Sequence, residues 1–263
     1  MRTFGLIGYP LTHSFSQKYF TEKFRKEKID AEYLNFPISS IDQFPALIEA
    51  NPNLEGLSIT IPYKTEIIKY LDELDETARV VGAVNCIKIG TRDKGIQGAG
   101  DKGQGTRGVW LKGFNTDVYG FSQSIKPFLE NTHQRALILG TGGASKAVDH
   151  VLKQIGLDTY KVSRKKTSGI KQFSYEEITK YVLDSFTLIV NTTPLGTFPN
   201  VNEFPPIPYE HLSSKHLLFD LVYNPEETMF MKKGKEAGAT VINGLSMLHL
   251  QADEAWRIFS LKV

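Results

Sequence analysis

Arg135-Ala-Leu-Ile-Leu-Gly-Thr-Gly-Gly-Ala-Ser-Lys-Ala147 runs from an apolar strand through a glycine turn into a helix. Without a Cβ, Gly140 and Gly142 permit a sharp turn and let backbone amides come close to a ligand. The helix that follows points its positive end and its unpaired amides at the same place. That arrangement suits a pyrophosphate. The string alone equally describes an ordinary tight strand-to-helix turn, and Ser145 stands where the third small residue of a dinucleotide fingerprint is Gly or Ala. The next strand decides the cofactor. About twenty residues on, a fold that binds NAD usually carries an acid for the ribose hydroxyl. Here the strand ends in Val162-Ser163-Arg164-Lys165-Lys166. A cationic, acid-free strand end favours the 2′-phosphate of NADP, which a carboxylate would repel.

Working outward, strand-like and helix-like patterns alternate on both sides of this turn, the signature of β-α-β units around largely parallel sheets. Upstream, Thr3 to Gly8 reads as a strand and Ser16 as the cap of a helix to about Lys28. Strands follow at Glu32–Ile38 and Leu57–Ile61, with a helix between them carrying Ile41, Phe44, Leu47 and Ile48. Pro62 stops the third strand, Lys64 to Leu71 reads as helix, and Ala83–Ile89 as another strand. Residues 90–113 are a polar, glycine-punctuated run that reads as a mobile loop or a hairpin with a long tip. A helix capped within Asn115-Thr-Asp117 runs to about Ile125. Downstream, strands are expected near 136–140, 159–163, 186–192, 216–222 and 240–243, with helices near 144–154, 175–183 and 227–236. Ser174 and Glu177 form a capping box, and Gly156 and Gly238 lie where helices end. In the last helix Leu248, Ala252, Ala255, Trp256 and Phe259 share one face, which should return to cover the first domain. The expected architecture is therefore two α/β domains: residues 1–114 with 245–263, containing a mainly parallel sheet, and a Rossmann-like domain over 115–244.

Composition narrows the class. A net charge of +2 argues against a generalised nucleic-acid footprint. The single cysteine, Cys86, cannot form an internal disulfide or supply a thiolate zinc set, and the six histidines show no metal-ligand spacing, so no metal is expected. No apolar run reaches the roughly eighteen residues needed to span a bilayer, and Met1 to Gly8 reads as a strand instead of a signal peptide. A cytoplasmic protein without a membrane partner, monomeric or a homodimer, is the expectation. No serine sits in a GxSxG elbow, which removes the usual hydrolase signature.

Polar groups gather at strand ends of the first domain: Ser14 and Ser16 after the first strand, Thr60 and Lys64 around the end of the third, then Asn85 and Asp117. In open α/β sheets ligands bind beyond the carboxyl ends of strands, so these groups should converge on one crevice. Singly, each has a plainer reading: Ser16 and Asp117 as helix caps, Asn85 as a turn former. Lys64 is the strongest candidate. A lysine there can hold a proton and stabilise the oxyanion that forms as a carbonyl accepts hydride, with Asp117 orienting it.

Seen together, the motifs resemble the shikimate/quinate dehydrogenase family along nearly the whole chain. They are, in family order, Gly8-Tyr-Pro-Leu-Thr-His-Ser-Phe-Ser16, Ser58-Ile-Thr-Ile-Pro-Tyr-Lys64, Gly82-Ala-Val-Asn85, Gly113-Phe-Asn-Thr-Asp117, Asn191-Thr-Thr-Pro-Leu-Gly196, Asp220-Leu-Val-Tyr-Asn-Pro225 and Gly244-Leu-Ser-Met-Leu-His-Leu-Gln251. The resemblance implies NADPH-dependent reduction of 3-dehydroshikimate to shikimate, a step towards chorismate and the aromatic amino acids. By position it implies that Ser14, Ser16 and Tyr223 hold the substrate carboxylate, that Thr60, Asn85, Asp117 and Gln251 read ring hydroxyls, and that Lys64 and Asp117 are the catalytic pair. NADP would lie over Gly140, Gly142, Gly143, Ala144 and Ser145, with Ser163, Arg164 and Lys165 at the adenosine end, Thr192, Leu221 and Gly244 near ribose and nicotinamide, and Glu76 on the nicotinamide side. Three features depart from the family pattern: Ser58 and Ser163 each replace a usual asparagine, and the 90–113 loop is long. A relative with relaxed choice between shikimate and quinate or between NADP and NAD, a non-catalytic ligand sensor of the same fold, and a folate dehydrogenase of similar architecture remain as rival readings. Retention of both Lys64 and Asp117 speaks against the sensor, and Ser14 with Ser16 against the folate enzyme.

Overall fold

The apolar runs form two six-stranded sheets in a computed structural model that describes residues 1–11, 14–91, 108–164 and 171–261. Each sheet belongs to its own compact unit, Met1–Thr116 with Ala252–Val263, and Asp117–Gln251.

In the first unit, β1 (Arg2–Gly8), β2 (Ala31–Pro37), β3 (Leu54–Ile59), β4 (Glu73–Leu74), β5 (Cys86–Thr91) and β6 (Val109–Phe114) lie in the order β2-β1-β3-β5-β6-β4. The first three are mutually parallel, whereas β5 runs antiparallel to both β3 and β6. Alternation along the strands gives the sheet two apolar faces. Ile7, Leu57, Ile59 and Ile87 pack with Phe44 and Ile48 of α2 (Phe44–Ala50) and with Ile67. Phe4, Leu6 and Cys86 face the other way, onto Phe20 and Phe24 of α1 (Phe15–Glu27) and onto Ala252, Ala255, Ile258 and Phe259 of the last helix. Phe4 is the hub of that second layer, its ring centroid 5.2 Å from Phe259, 5.5 Å from Trp256 and 5.8 Å from Phe24. A short α3 (Glu76–Val81) is capped by Asp75, whose carboxylate accepts from the amides of Thr77 and Ala78.

The second unit is wholly parallel. Its strands, β7 (Arg135–Leu139), β8 (Asp158–Ser163), β9 (Gln172–Ser174), β10 (Leu188–Asn191), β11 (Leu217–Asp220) and β12 (Thr240–Ile242), lie in the order β12-β11-β10-β7-β8-β9. Renumbered within the unit, this is the 3-2-1-4-5-6 order of dinucleotide-binding sheets. Ala136 to Leu139 are all fully buried because the sheet is covered on both sides. Helices are α4 (Thr116–Ile125), α5 (Gly143–Gln154), α6 (Lys180–Ser185), α7 (Met229–Glu236) and α8 (Leu245–Phe259). Among the described residues no helix is long and apolar enough to cross a membrane.

Several expectations need correcting. The cap of α1 is Ser14, not Ser16: the Ser14 hydroxyl accepts from the Gln17 amide at 3.0 Å, leaving Ser16 inside the first turn. Lys64 to Leu71 is not an α-helix, since only Glu66–Tyr70 is helical, and as a 3₁₀ turn. The buried residues there, Ile67 and Tyr70, stand three apart, which matches the tighter three-residue period. The helix expected near 175–183 is split at Ile178 and Thr179 into a 3₁₀ turn, Tyr175–Glu177, and α6. The capping box of Ser174 and Glu177 and the left-handed Gly156 and Gly238 stand as read. The two ends of the 90–113 run pair as a hairpin, Thr91 opposite Val109, while residues 92–107 lie outside those described.

Burial gives a stability prediction. Phe4→Ala should cost about 3–5 kcal/mol in chemical denaturation, because it empties the middle of an aromatic layer. Tyr181→Ala, at a side chain 83% exposed, should change the same measurement by less than about 0.5 kcal/mol.

Candidate active site

The antiparallel course of β5 concentrates polar groups at one edge of the first sheet. β3 ends at this edge, and β5 begins there with Ser58 opposite Cys86. β6 then returns to end beside it, with Cys86 opposite Phe114. Asn85 sits at the junction, its carbonyl accepting from the Ile59 amide at 2.8 Å and its own amide donating to Phe114 at 3.0 Å. The Asn85 side chain is 6% exposed. Its Oδ1 accepts from the Thr116 amide at 2.7 Å and its Nδ2 donates to Thr116 Oγ1 at 3.0 Å. Thr60 adjoins the end of β1, its amide donating to Ile7 at 2.9 Å. Lys64 follows four residues later, half-buried, its carbonyl accepting from the Val84 amide at 2.7 Å. Ser14 and Ser16 occupy the cap and first turn of α1. The structure thus gathers Thr60, Lys64 and Asn85 where β3, β5 and β6 meet.

Asp117, Tyr223 and Gln251 belong to the second unit. Asp117 is 2% exposed in the first turn of α4. One turn on, at Gly120, α8 comes so close that a Cβ would lie 2.7 Å from the Met247 carbonyl oxygen and 3.1 Å from Gln251 Cβ. The missing side chain therefore brings Gln251 against the face of α4 that carries Asp117. Tyr223 is partly buried, which raises its phenol above the ordinary range and keeps it a neutral donor.

The glycine turn is tight at Gly140 and open at the head of α5. Gly140 has φ of 112°, and a Cβ there would meet Thr192 Oγ1 at 2.7 Å, so only glycine fits. Gly142 caps α5 without any side-chain hydrogen bond to the helix amides, and the space where its Cβ would stand is open. Ser145 is fully buried and its hydroxyl donates to the Gly140 carbonyl at 2.9 Å, so a serine serves here in place of the third small residue. β7 and β10 are neighbours although β8 follows β7 in sequence. Gly140 and Thr192 accordingly end strands on either side of the topological switch point, where such sheets take their ligands. Ser163 accepts from Gln172 Nε2 at 2.8 Å and so ties β8 to β9. Arg164 is exposed at the end of β8, while Lys165 lies outside the described residues. A Cβ on Gly244 would stand 2.2 Å from the Leu221 carbonyl oxygen, so these two expected cofactor residues are adjacent. Glu76 opens α3 in the first unit. Two surface grooves, one lined by Phe24, Lys28 and Glu32 and one by Gln134, Arg135 and Asp158, contain none of the expected site residues.

Sequence reasoning missed a polar cluster behind this turn. Asp220 is fully buried at the end of β11, accepting from Asn191 Nδ2 at 2.9 Å, from the Val222 amide at 3.0 Å and from Thr228 Oγ1 at 2.6 Å. It fixes the ends of β10 and β11 and the segment bearing Leu221 and Tyr223. The available signal was an aspartate closing the otherwise apolar run Leu217-Leu-Phe-Asp220. Burial pushes its carboxyl up to about 6, against those hydrogen bonds, which hold it down. Between the unfolded pKa near 4 and the folded value the native state holds a proton that the unfolded chain has released. This residue's contribution to stability therefore falls as pH rises from about 4 to about 6 and levels off above. Stability measured from pH 4 to 7 should carry that component, on the order of 3 kcal/mol, and Asp220→Asn should lack it. Parallel profiles for the two proteins would refute the assignment.

Comparison with known proteins identifies the family of the chain. Residues 6–87 match the family model described as shikimate dehydrogenase substrate binding domain. Shikimate dehydrogenase (NADP(+)) of Methanosphaera stadtmanae is 36% identical over 98% of this chain and 91% of its own. The protein of that name from Carboxydothermus hydrogenoformans is 35% identical over 96% and 90%. Shikimate dehydrogenase 1 of Peptoclostridium difficile superposes with a TM-score of 0.80 at 34% identity, covering 100% of this chain and 93% of that one. The Thermus thermophilus shikimate 5-dehydrogenase, solved with NADP(H) and shikimate, gives 0.80 at 26% identity, covering 99% and 94%. The chain belongs to the shikimate dehydrogenase family.

Proposed function

We infer that this chain is an NADP-dependent oxidoreductase that reduces 3-dehydroshikimate to shikimate, in the cytoplasm, on the route to chorismate and the aromatic amino acids. Its family membership supports the reaction class. The observation that carries the reading is the polar edge of the first sheet, where β5 brings Asn85 back to Thr60 and Lys64. Residues 1–114 with 245–263 would bind substrate, and residues 115–244 would bind NADP.

The glycine turn fits the cofactor, because the Gly142 cap offers the first amides of α5 no side-chain hydrogen bond and the space where its Cβ would stand is open. Gly140, Gly142, Gly143, Ala144 and Ser145 would hold the pyrophosphate, with Ser163, Arg164 and Lys165 at the adenosine end and its 2′-phosphate. Thr192, Leu221 and Gly244 would line ribose and nicotinamide, with Glu76 on the nicotinamide side. When bound, NADPH supplies the hydride that reaches the ring ketone. The rest is done by side chains. Ser14, Ser16 and Tyr223 hold the substrate carboxylate, while Thr60, Asn85, Asp117 and Gln251 read ring hydroxyls. Such reading is selective, since a buried donor left without its hydroxyl penalises analogues lacking that group. Lys64 delivers a proton to the ketone oxygen as charge develops there, and Asp117 orients the ammonium.

Steady-state rates with shikimate and quinate, each against NADP⁺ and NAD⁺, test the assignment. Shikimate with NADP⁺ should give the highest kcat/KM, and a strong preference for NAD⁺ would overturn the reading of Arg164 and Lys165. Lys64→Ala should lower kcat by about 10²–10⁴ with far less effect on the KM for NADP⁺, and unchanged turnover would remove Lys64 from the mechanism. Gly142→Asp adds a carboxylate without a steric clash. It should raise the KM for NADP⁺ by at least about tenfold, through phosphate repulsion at the head of α5.

A further inference from the structure

Among the described residues, two buried side-chain atoms have no hydrogen-bond partner: the Tyr33 hydroxyl and Asn35 Oδ1. They stand two residues apart on β2 and so on one face of it. Both side chains meet the start of α1. Asn35 Nδ2 donates to Gln17 Oε1 at 2.9 Å, and the Tyr33 ring stacks on Phe20 with centroids 4.6 Å apart and planes 13° from parallel. Phe20 lies one turn after Ser16 on the same helical face, so the tyrosine hydroxyl reaches towards the amino end of the helix. The hydroxyls of Ser58 and Ser16 stand beside it and act on it, yet neither is in hydrogen-bonding geometry with it.

This is an unusual place for an unsatisfied group. Tyr33 is 3% exposed, and a buried hydroxyl without a partner costs on the order of 1–3 kcal/mol. Burial raises its pKa, so it keeps its proton and remains a donor. Its neighbours are the groups read above as addressing the substrate. Ser58 stands between Leu57 and Ile59 on β3 and opposite Cys86, so it points to the sheet face covered by α1. The oxygen of Ser14 already accepts from the Gln17 amide, which leaves the Ser14 proton to be donated outward. Ser16 has no comparable bond to fix the direction of its own proton among those formed by the α1 cap.

We propose that Tyr33 is a positioning residue for the substrate carboxylate: Ser16 accepts a hydrogen bond from the Tyr33 hydroxyl and turns its own proton onto the anion lying at the first turn of α1. The assignment rests on the reading of Ser14 and Ser16 as carboxylate-binding residues. A hydroxyl that accepts one hydrogen bond is polarised into a stronger donor of the next. Substrate binding then satisfies the orphaned tyrosine, and part of its burial cost returns as affinity for the anion.

Tyr33→Phe removes the hydroxyl and keeps the ring stack. It should raise the KM for shikimate by on the order of tenfold, the size of one hydrogen bond to a charged group's partner. The kcat should stay within roughly twofold and the KM for NADP⁺ unchanged. The variant should melt no lower than wild type, because it loses an unsatisfied group, and this separates a binding effect from damaged folding. With the methyl ester of shikimate, which has no carboxylate anion, wild type and variant should have equal KM. In a Ser16→Ala background the tyrosine substitution should add less than about twofold. An unchanged KM for shikimate, or an equal rise with acid and ester, would overturn the proposal. A wild-type enzyme that fails to turn over shikimate at all would instead overturn the function on which it rests.

Discussion

A buried amide side chain is tolerated only when its hydrogen bonds are made, and in the first unit that requirement falls on Asn85. Its backbone joins β3 to β6, and its side chain holds the residue that opens α4. Three chain segments are thereby fixed to one another by a single residue. Ile59, Ile87 and Leu111 add apolar burial on one face of the sheet. The polar contact selects one register. That register brings Thr60 and Lys64 to the same edge.

The second unit applies the same device with a charged group. Asp220 holds the ends of β10 and β11 and reaches the Thr228 cap of α7. The loops that leave those strands are thus anchored at their roots and remain free to carry functional residues further out. In both units the strands supply stability through their apolar faces, while one inaccessible polar side chain sets where the loops begin. Each such residue is costly to remove, because its partners would be left unsatisfied in the interior.

Much of this was legible in the sequence, for reasons that differ by element. The second sheet was legible because β7, β10 and β11 are short apolar runs, and Gly140 after β7 has a steric reason to be glycine that does not depend on context. The polar segments around Ser14, Lys64 and Asn85 were legible as places where packing alone would not put such side chains. Other features were hidden by scale. β4 and β9 span two and three residues, too few for a period of two to emerge. The 3₁₀ turn at Glu66–Tyr70 carries an apolar spacing that three-fold and 3.6-fold periods share over so short a stretch. Ser14 and Ser16 are equally good caps on paper, and only the hydrogen bond to Gln17 separates them. Asp220 and Tyr33 were missed because their importance lies in what surrounds them, and β2 and β11 otherwise read as ordinary strands.

The up-and-back course of β5 and β6 also separates two kinds of change that evolution can make to this chain. β5 leaves the polar edge at Cys86 and β6 comes back to it at Phe114, so the pairing of Thr91 with Val109 stands at the opposite end of the ribbon. Residues added or lost beyond that pair are insulated from Asn85 and Thr116 by the full length of the ladder. A hairpin of this kind works as a permissive seam: chain length can drift at one end while the hydrogen bonds of Asn85 and Thr116 at the other are left unaltered.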